Sequence, residues 1–448
     1  MRQTRVLARR LAAGLAHFGA EKSGVTAITV ALLAVPLVFA AGMAIDYSDA
    51  ERRQDQLNGF ADSAVLAALT PAMMSQSDAT SQATATSMFN AQVKSLSDAK
   101  LTANIQVTAT DTNTAVGITR TVTLTYSATS ANFFGGILGL STTPIQGAST
   151  ATQSQAPNIN YYMLLDTSPS MAIAATQAGI NTMVANTSHQ GGCAFGCHEL
   201  DPQADNLGNP NGEDNYTLAR NLGVSLRIDL VNSATQSMLS SATTAGSTNH
   251  ATYNFDLYAF NYYFTELTSG MSSASTAQSA ATGIQQLEVY NNSGYLTKTL
   301  YNDDEDTNWD LAMGSLAPGG AKAMPKPGNG TNNPGDTPQE VLFIVSDGVI
   351  DESSGGRLIS PVDEFSTWCS KVKANGVRIA FLYTTYYPLP TNAFYNSYVA
   401  PYQSQIGPTY AQNCASPGLY FEVSTGGDIT SAMTTLFQKT VTTAHLTQ

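Results

Sequence analysis

Residues 161–170 read YYMLLDTSPS: an apolar run that stops at Asp166 and continues as Asp-x-Ser-x-Ser. Such a run, without polar alternation, predicts a short strand buried on both faces. Asp166 then stands at the carboxyl end of that strand, where open α/β sheets bind their ligands. The arrangement recurs at 341–348, VLFIVSDG, where a second apolar run ends at Asp347-Gly348. Further apolar runs lie at Phe255–Phe260, Val377–Tyr383 and Tyr420–Val423. Helical patterns fall between or after them, at Ser225–Ser241, Thr276–Gln286, Trp309–Leu316, Ser366–Asn375 and Ile429–Thr440. Alternation of this kind predicts an α/β domain with a largely parallel sheet over residues 159–448. Two stretches rich in Asn, Gly and Pro, 187–214 and 317–338, read as surface inserts.

The residues at the strand ends share one chemistry. Asp166, Ser168, Ser170 and Asp347 offer only oxygen, and so does Thr307, which precedes the helical stretch at Trp309. A hard divalent cation wants such a donor set. Hydroxyls coordinate without adding charge, and two carboxylates balance the ion. Mg²⁺ fits best, with Mn²⁺ or Ca²⁺ as alternatives. The last position is open to a carboxylate from a partner. Alone, Asp166 reads equally well as a turn former or helix cap; the ordered combination with Thr307 and Asp347 favours the cation.

The N-terminal part belongs to a different environment. Residues 1–24 are basic, with Arg2, Arg5, Arg9, Arg10 and Lys22 against Glu21. Residues 25–45, VTAITVALLAVPLVFAAGMAI, carry no charge. As a helix they span about 31 Å, the thickness of a bilayer's hydrocarbon core. The basic flank predicts a cytoplasmic N-terminus and an exterior remainder. A cleaved signal peptide is the alternative, with small residues around Ala40–Ala44, but its apolar core is normally shorter. Residues 46–150 then read as an Ala-rich helix ended by Pro71, a second helix near Ser81–Leu96, and a small antiparallel sheet. Its strands are LTANIQVTAT, ITRTVTLTYSAT and TTPIQGASTAT, with the apolar run FFGGILGL at 133–140 before the last. Residues 151–158 read as a polar linker.

Charged residues make up 12% of the 448, and the net charge is −13. That excludes nucleic-acid binding, which rests on neutralised phosphates. Four cysteines suit an oxidising exterior. Cys193 and Cys197 are near enough in sequence to bridge, leaving Cys369 with Cys414, although three pairings are formally open. Zinc at His189, Cys193, Cys197 and His198 is the competing reading of the first insert. The aromatic stretch 383–402, YTTYYPLPTNAFYNSYVAPY, reads as packing over the core or as an interface.

Taken together, residues 159–440 resemble a von Willebrand factor type A domain with a metal-ion-dependent adhesion site. The resemblance places the family's metal motif on Asp166, Ser168, Ser170, Thr307 and Asp347. Where the family has glycines before the Thr, this chain has Asp303-Asp304-Glu305-Asp306, which reads as a solvated loop, with a second cation site as the alternative. The N-terminal part resembles TadG-like proteins of the bacterial Tad (Flp) pilus-assembly system. The residues concerned are Gly24, Ala31-Leu32-Leu33, Pro36-Leu37, Asp46 and the Ala-rich stretch to Leu69. Pilins usually carry Glu five residues after their processing Gly. Thr29 stands there, so the helix is expected to be retained.

The resemblance implies a non-enzymatic, single-pass inner-membrane protein that assembles or anchors a pilus by binding pilus or envelope proteins. A surface adhesin using the same metal site is the alternative. A hydrolase built on Ser168 is the third reading. Against it, the chain has no G-x-S-x-G, H-E-x-x-H or P-loop, and its histidines do not fall at strand ends.

Overall fold

The computed structural model describes residues 23–95, 102–114, 117–196, 209, 212–285, 307–353, 357–364, 367–424 and 428–443. The chain divides into two compact units. One is drawn from the residues up to Met73, Ala79–Thr110 and Thr121–Thr152; the other from Met74–Asp78, Asp111–Arg120 and Gln153 onward.

The first unit is organised around one long helix, α1 (Ser23–Ala67), which holds Pro36 inside it. Its first half is apolar and exposed: Leu32, Leu37 and Ile45 face outward. That half is long and apolar enough to cross a membrane, with a mean hydropathy of 2.4 over its best window. Its second half is amphipathic in effect, because Leu57, Ala61, Ala64 and Val65 are buried. The same part of the chain holds α2 (Asp78–Ser95) and a three-stranded sheet in sequence order, β1 (Thr102–Thr114), β2 (Gly117–Ala131) and β3 (Thr142–Gln155), with Phe89 of α2 against Tyr126 of β2. Polar side chains fix the helix to the strands. The Tyr126 hydroxyl donates to Asn58 Oδ1 (2.7 Å), Gln54 Nε2 to the Gln146 carbonyl (3.0 Å), and Ser149 to Asp62 (2.6 Å).

Two boundaries differ from the sequence reading. α1 ends at Ala67, and Pro71 opens a separate turn, Pro71–Met74, instead of closing the helix. A missing N–H is no loss at a first helical position. The expected linker 151–158 is mostly strand, because β3 runs to Gln155 and leaves only 156–158 outside it. Its Ser and Thr side chains are polar, yet they suit a strand whose neighbour also presents hydroxyls: Thr123 and Thr150 meet at 3.0 Å.

The second unit is α/β, as the alternating pattern predicts. In chain order it contains β4 (Ile159–Asp166), α3 (Gln177–Asn186), α4 (Asn215–Asn221), α5 (Arg227–Asn249), β5 (Tyr253–Phe260), β6 (Phe264–Glu266), β7 (Ser272–Ser273) and α6 (Ala274–Ala280). Then follow α7 (Trp309–Leu316), β8 (Gln339–Ser346), β9 (Val349–Ser353), β10 (Arg357–Pro361), α8 (Trp368–Ala374), β11 (Arg378–Thr384), β12 (Tyr420–Val423) and α9 (Ile429–Thr443). The sheet order is β12-β11-β8-β4-β5-β6, with β7 also on β5. The pairs from β12 to β5 are parallel, and β6 and β7 run antiparallel at the edge. Helices cover both faces. Phe437 of α9 packs on Tyr161, Tyr253 and Phe255, and Trp309 of α7 meets Phe260, which points the other way along β5. Central strands buried from both sides explain the unbroken apolar runs.

Cys369 and Cys414 form a disulfide. Cys197 and His198 lie outside the described residues, so neither the Cys193–Cys197 bridge nor the zinc set is described. Within that first insert, His189 Nε2 meets Asn209 Oδ1 at 3.1 Å. The second insert, 317–338, has neither helix nor strand and is tied by Asp336, which accepts from the amides of Asn329 and Thr331 (both 2.8 Å). In the aromatic stretch, Tyr383, Tyr386 and Tyr395 are buried and Tyr398 is exposed, so packing is its main use.

Candidate metal centre

The strand order creates a switch point at β4. The chain goes from β4 to β5 on one side and later returns as β8 on the other. Ligands of open α/β sheets bind outside the carboxyl ends of the strands at such a point. Asp166 closes β4, and Asp347 follows Ser346, the last residue of β8. Leu165 pairs with Val345, which sets Asp166 beside Ser346.

The carboxylate of Asp166 is fully buried and hydrogen-bonded on both oxygens. Its Oδ1 accepts from the Ser168 amide (3.0 Å) and hydroxyl (2.6 Å), and its Oδ2 from the Ser346 hydroxyl (2.6 Å). Ser168 Oγ lies 3.0 Å from Ser170 Oγ. Just past the end of the neighbouring strand, Asp347 is also fully buried. Its Oδ1 accepts from the Val349 amide (3.3 Å), and its Oδ2 from Arg227 (3.3 Å). Gly348 makes the turn between them at φ +75°, where a Cβ would fall 2.4 Å from Ile406. Only glycine suits both demands.

The two carboxylates feel each other. Burial, with the charge of Asp347 added, pushes the Asp166 carboxyl up to about 7. Burial raises Asp347 too, against the pull of the Arg227 guanidinium. Arg227 opens α5 and is itself buried, over the ring of Tyr386 (4.7 Å) and hydrogen-bonded to the Thr385 carbonyl. Sequence reasoning missed Arg227 and Ser346. Ser346 stood next to Asp347 in the VSDG run. The only signal for Arg227 was a lone basic residue opening a helix with no other Lys or Arg.

Thr307 reaches the same rim by its backbone. It pairs with Asp351, four residues past Asp347, and the next amide, of Asn308, donates to the Asn261 carbonyl just beyond β5 (2.9 Å). Among the described residues its hydroxyl hydrogen-bonds to none of the other four. The structure therefore brings Asp166, Ser168, Ser170 and Asp347 together and sets Thr307 beside them. Asp303 to Asp306 lie outside the described residues.

The residues fit a hard cation on two counts. All donors are oxygen, and the two hydroxyls stand 3.0 Å apart, the edge of an octahedron with metal–oxygen bonds of about 2.1 Å. The Arg227 guanidinium pairs with Asp347 alone, and the repulsion of Asp347 helps to raise Asp166, a repulsion that a divalent cation would relieve.

Residues 24–83 match the Flp pilus-assembly TadE/G-like family. No curated protein matches the chain. Among solved structures, proximal thread matrix protein 1 from the mussel byssus is 11% identical, with a TM-score of 0.31 over 65% of this chain and 46% of that one. This chain thus spans just under half the length of the mussel protein. The PilB minor pilin of Streptococcus sanguinis is 11% identical, with a TM-score of 0.32 over 77% and 79% of the two chains. The vWF domain of the type V pili tip protein Mfa5 from Porphyromonas gingivalis is 7% identical, with a TM-score of 0.32 over 65% and 98%. Scores of this size carry no argument, and the fold class stands on the strand order and the flanking helices.

Proposed function

We propose that this chain is a non-enzymatic assembly or anchoring component of a Tad/Flp-type pilus. Residues 25–45 hold it in the bacterial inner membrane, with the N-terminus in the cytoplasm and the rest outside. Its α/β unit works as a von Willebrand factor type A domain. Asp166, Ser168, Ser170, Thr307 and Asp347 hold Mg²⁺ or a related divalent cation, and a carboxylate of a pilus or envelope protein completes the coordination. The bound ion supplies a fixed positive charge on which that acidic side chain docks.

The observation that carries this reading is the convergence of Asp166 and Asp347, both fully buried, at one rim, where the described cation, Arg227, pairs with Asp347. Buried charge of one sign is costly until a counter-ion joins it. The match over residues 24–83 supports the pilus context. The non-enzymatic reading is supported by the placing of the histidines. The described histidines, His189 and His250, sit in the first insert and at the end of α5. The test is capture of pilus and envelope proteins by the full chain in detergent, with Mg²⁺ and with chelator. Capture should need the cation and disappear in Asp166→Ala. Capture that ignores both would remove the metal from the mechanism.

A further inference from the structure

We propose that residues 133–140 form a membrane-dipping loop that enters the lipid interface beside α1. The segment Phe133-Phe-Gly-Gly-Ile-Leu-Gly-Leu140 presents its apolar side chains to the outside. Phe133 is 75% exposed, Ile137 68%, Leu138 53% and Leu140 56%. No charged residue occurs from Ala131 to Thr143. In water such a patch is unfavourable, and it needs an apolar partner.

Its attachment to α1 sets its level. The Asp46 carboxylate accepts from the amides of Phe133 (2.8 Å), Phe134 (2.9 Å) and Gly135 (2.7 Å). Asp46 is the first charged residue after the uncharged 25–45 segment. One turn deeper, the Phe134 ring rests on Gly42, where a Cβ would come within 2.4 Å of Phe134 Cγ. The loop is therefore level with the last apolar turn, about 5 Å inside the end of the span. From there β3 leads away along the helix: Gln146 meets Gln54, and Ser149 meets Asp62.

Most of the loop's amides are hydrogen-bonded within the protein, as a non-aqueous setting favours. Besides the three amides on Asp46, Ile137 donates to the Phe134 carbonyl (3.2 Å), Gly139 to Gly136 (3.2 Å) and Leu140 to Gly135 (2.9 Å). The Asn132 side chain donates to the Leu140 carbonyl (3.0 Å). A loop bathed in water has no need to satisfy its own amides so fully; one at the edge of hydrocarbon does. Continuity with the apolar surface of α1 selects lipid over a protein partner as the occupant.

This inference rests on residues 25–45 being the membrane span, and the experiment separates the two. The full chain is reconstituted into phosphatidylethanolamine/phosphatidylglycerol vesicles, with and without acyl-chain-brominated lipid. Leu138→Trp and, independently, Ile137→Trp report on the loop; Thr152→Trp, exposed near the far end of β3, is the control. The native Trp309 and Trp368 set a common background. Loop tryptophans should emit at shorter wavelength and lose intensity to the bromines, and Trp at 152 should do neither. Red emission without quenching would overturn the proposal, placing the loop in water. Blue emission without quenching would also overturn it, since a second copy or another protein would then cover the loop. A chain that washes off the vesicles altogether would instead overturn the span, and the loop with it.

Discussion

Arg227 sets the charge balance of the rim. Its guanidinium is 1% exposed and meets an equally buried Asp347 at 3.3 Å. Removing one member of such a pair strands the other. Arg227→Met should therefore destabilise the cation-free protein by about 3–5 kcal/mol, measured by urea unfolding in detergent. Added Mg²⁺ should restore more stability to this variant than to the native chain, because the ion is then the remaining counter-charge; equal recovery would show that ion and guanidinium act apart. Glu340, at the opposite end of β8, gives a pH signature. Its Oε1 accepts from Asn160 (3.2 Å), its Oε2 has no hydrogen-bond partner among the described residues, and burial pushes the carboxyl from 4.5 to about 8. Between those values the folded state binds more protons than the unfolded one, so stability falls as pH rises through that window. Glu340→Gln should flatten the fall, and a profile unchanged by the substitution would show that Glu340 is not its source. The Asp-x-Ser-x-Ser run and Asp347 were legible because each is local and ends an apolar strand. Arg227 and Ser346 were not, because their roles depend on partners 120 and 180 residues away.

At the scale of elements, the turn after β8 is the most exacting piece. Gly348→Ala places a side chain at φ +75° and against Ile406. It should cost about 1–3 kcal/mol from the left-handed backbone alone, with more from the clash, read as a drop in the unfolding midpoint. A neutral result would mean that the turn relaxes easily and does not hold Asp347 in place. The five parallel strands were readable from unbroken apolar runs, since burial on both faces erases polar alternation. The edge strands β6 and β7 were not, being three and two residues long, and the β9–β10 pair was not, because the buried Asp351, Glu352 and Ser360 interrupt its apolar pattern. The π-helical turns at Tyr395–Val399 and Ile406–Ala411 left no sequence period to find. The 133–140 run was visible as apolar; that it stays exposed, moored to Asp46, was not.

In the molecule as a whole, the long α1 and the Ala-rich packing stripe were written plainly in residues 25–69, whereas the true extent of β3 was hidden by its polar Ser and Thr. The Cys369–Cys414 bridge closes a loop across 45 positions. On a chain-entropy basis it contributes about 4 kcal/mol. Reduction, or Cys414→Ser, should lower the stability of the second unit by up to that amount, and no change would place the bridge outside the cooperative core. The proposed role of the whole molecule turns on the rim of the parallel sheet being a cation site. Calorimetric titration of Mg²⁺ into the full chain, beside Asp166→Ala and Asp347→Asn, tests it directly. Saturable binding of one ion, abolished in both variants, is the predicted result; no binding to the native chain, or undiminished binding to the variants, would contradict it.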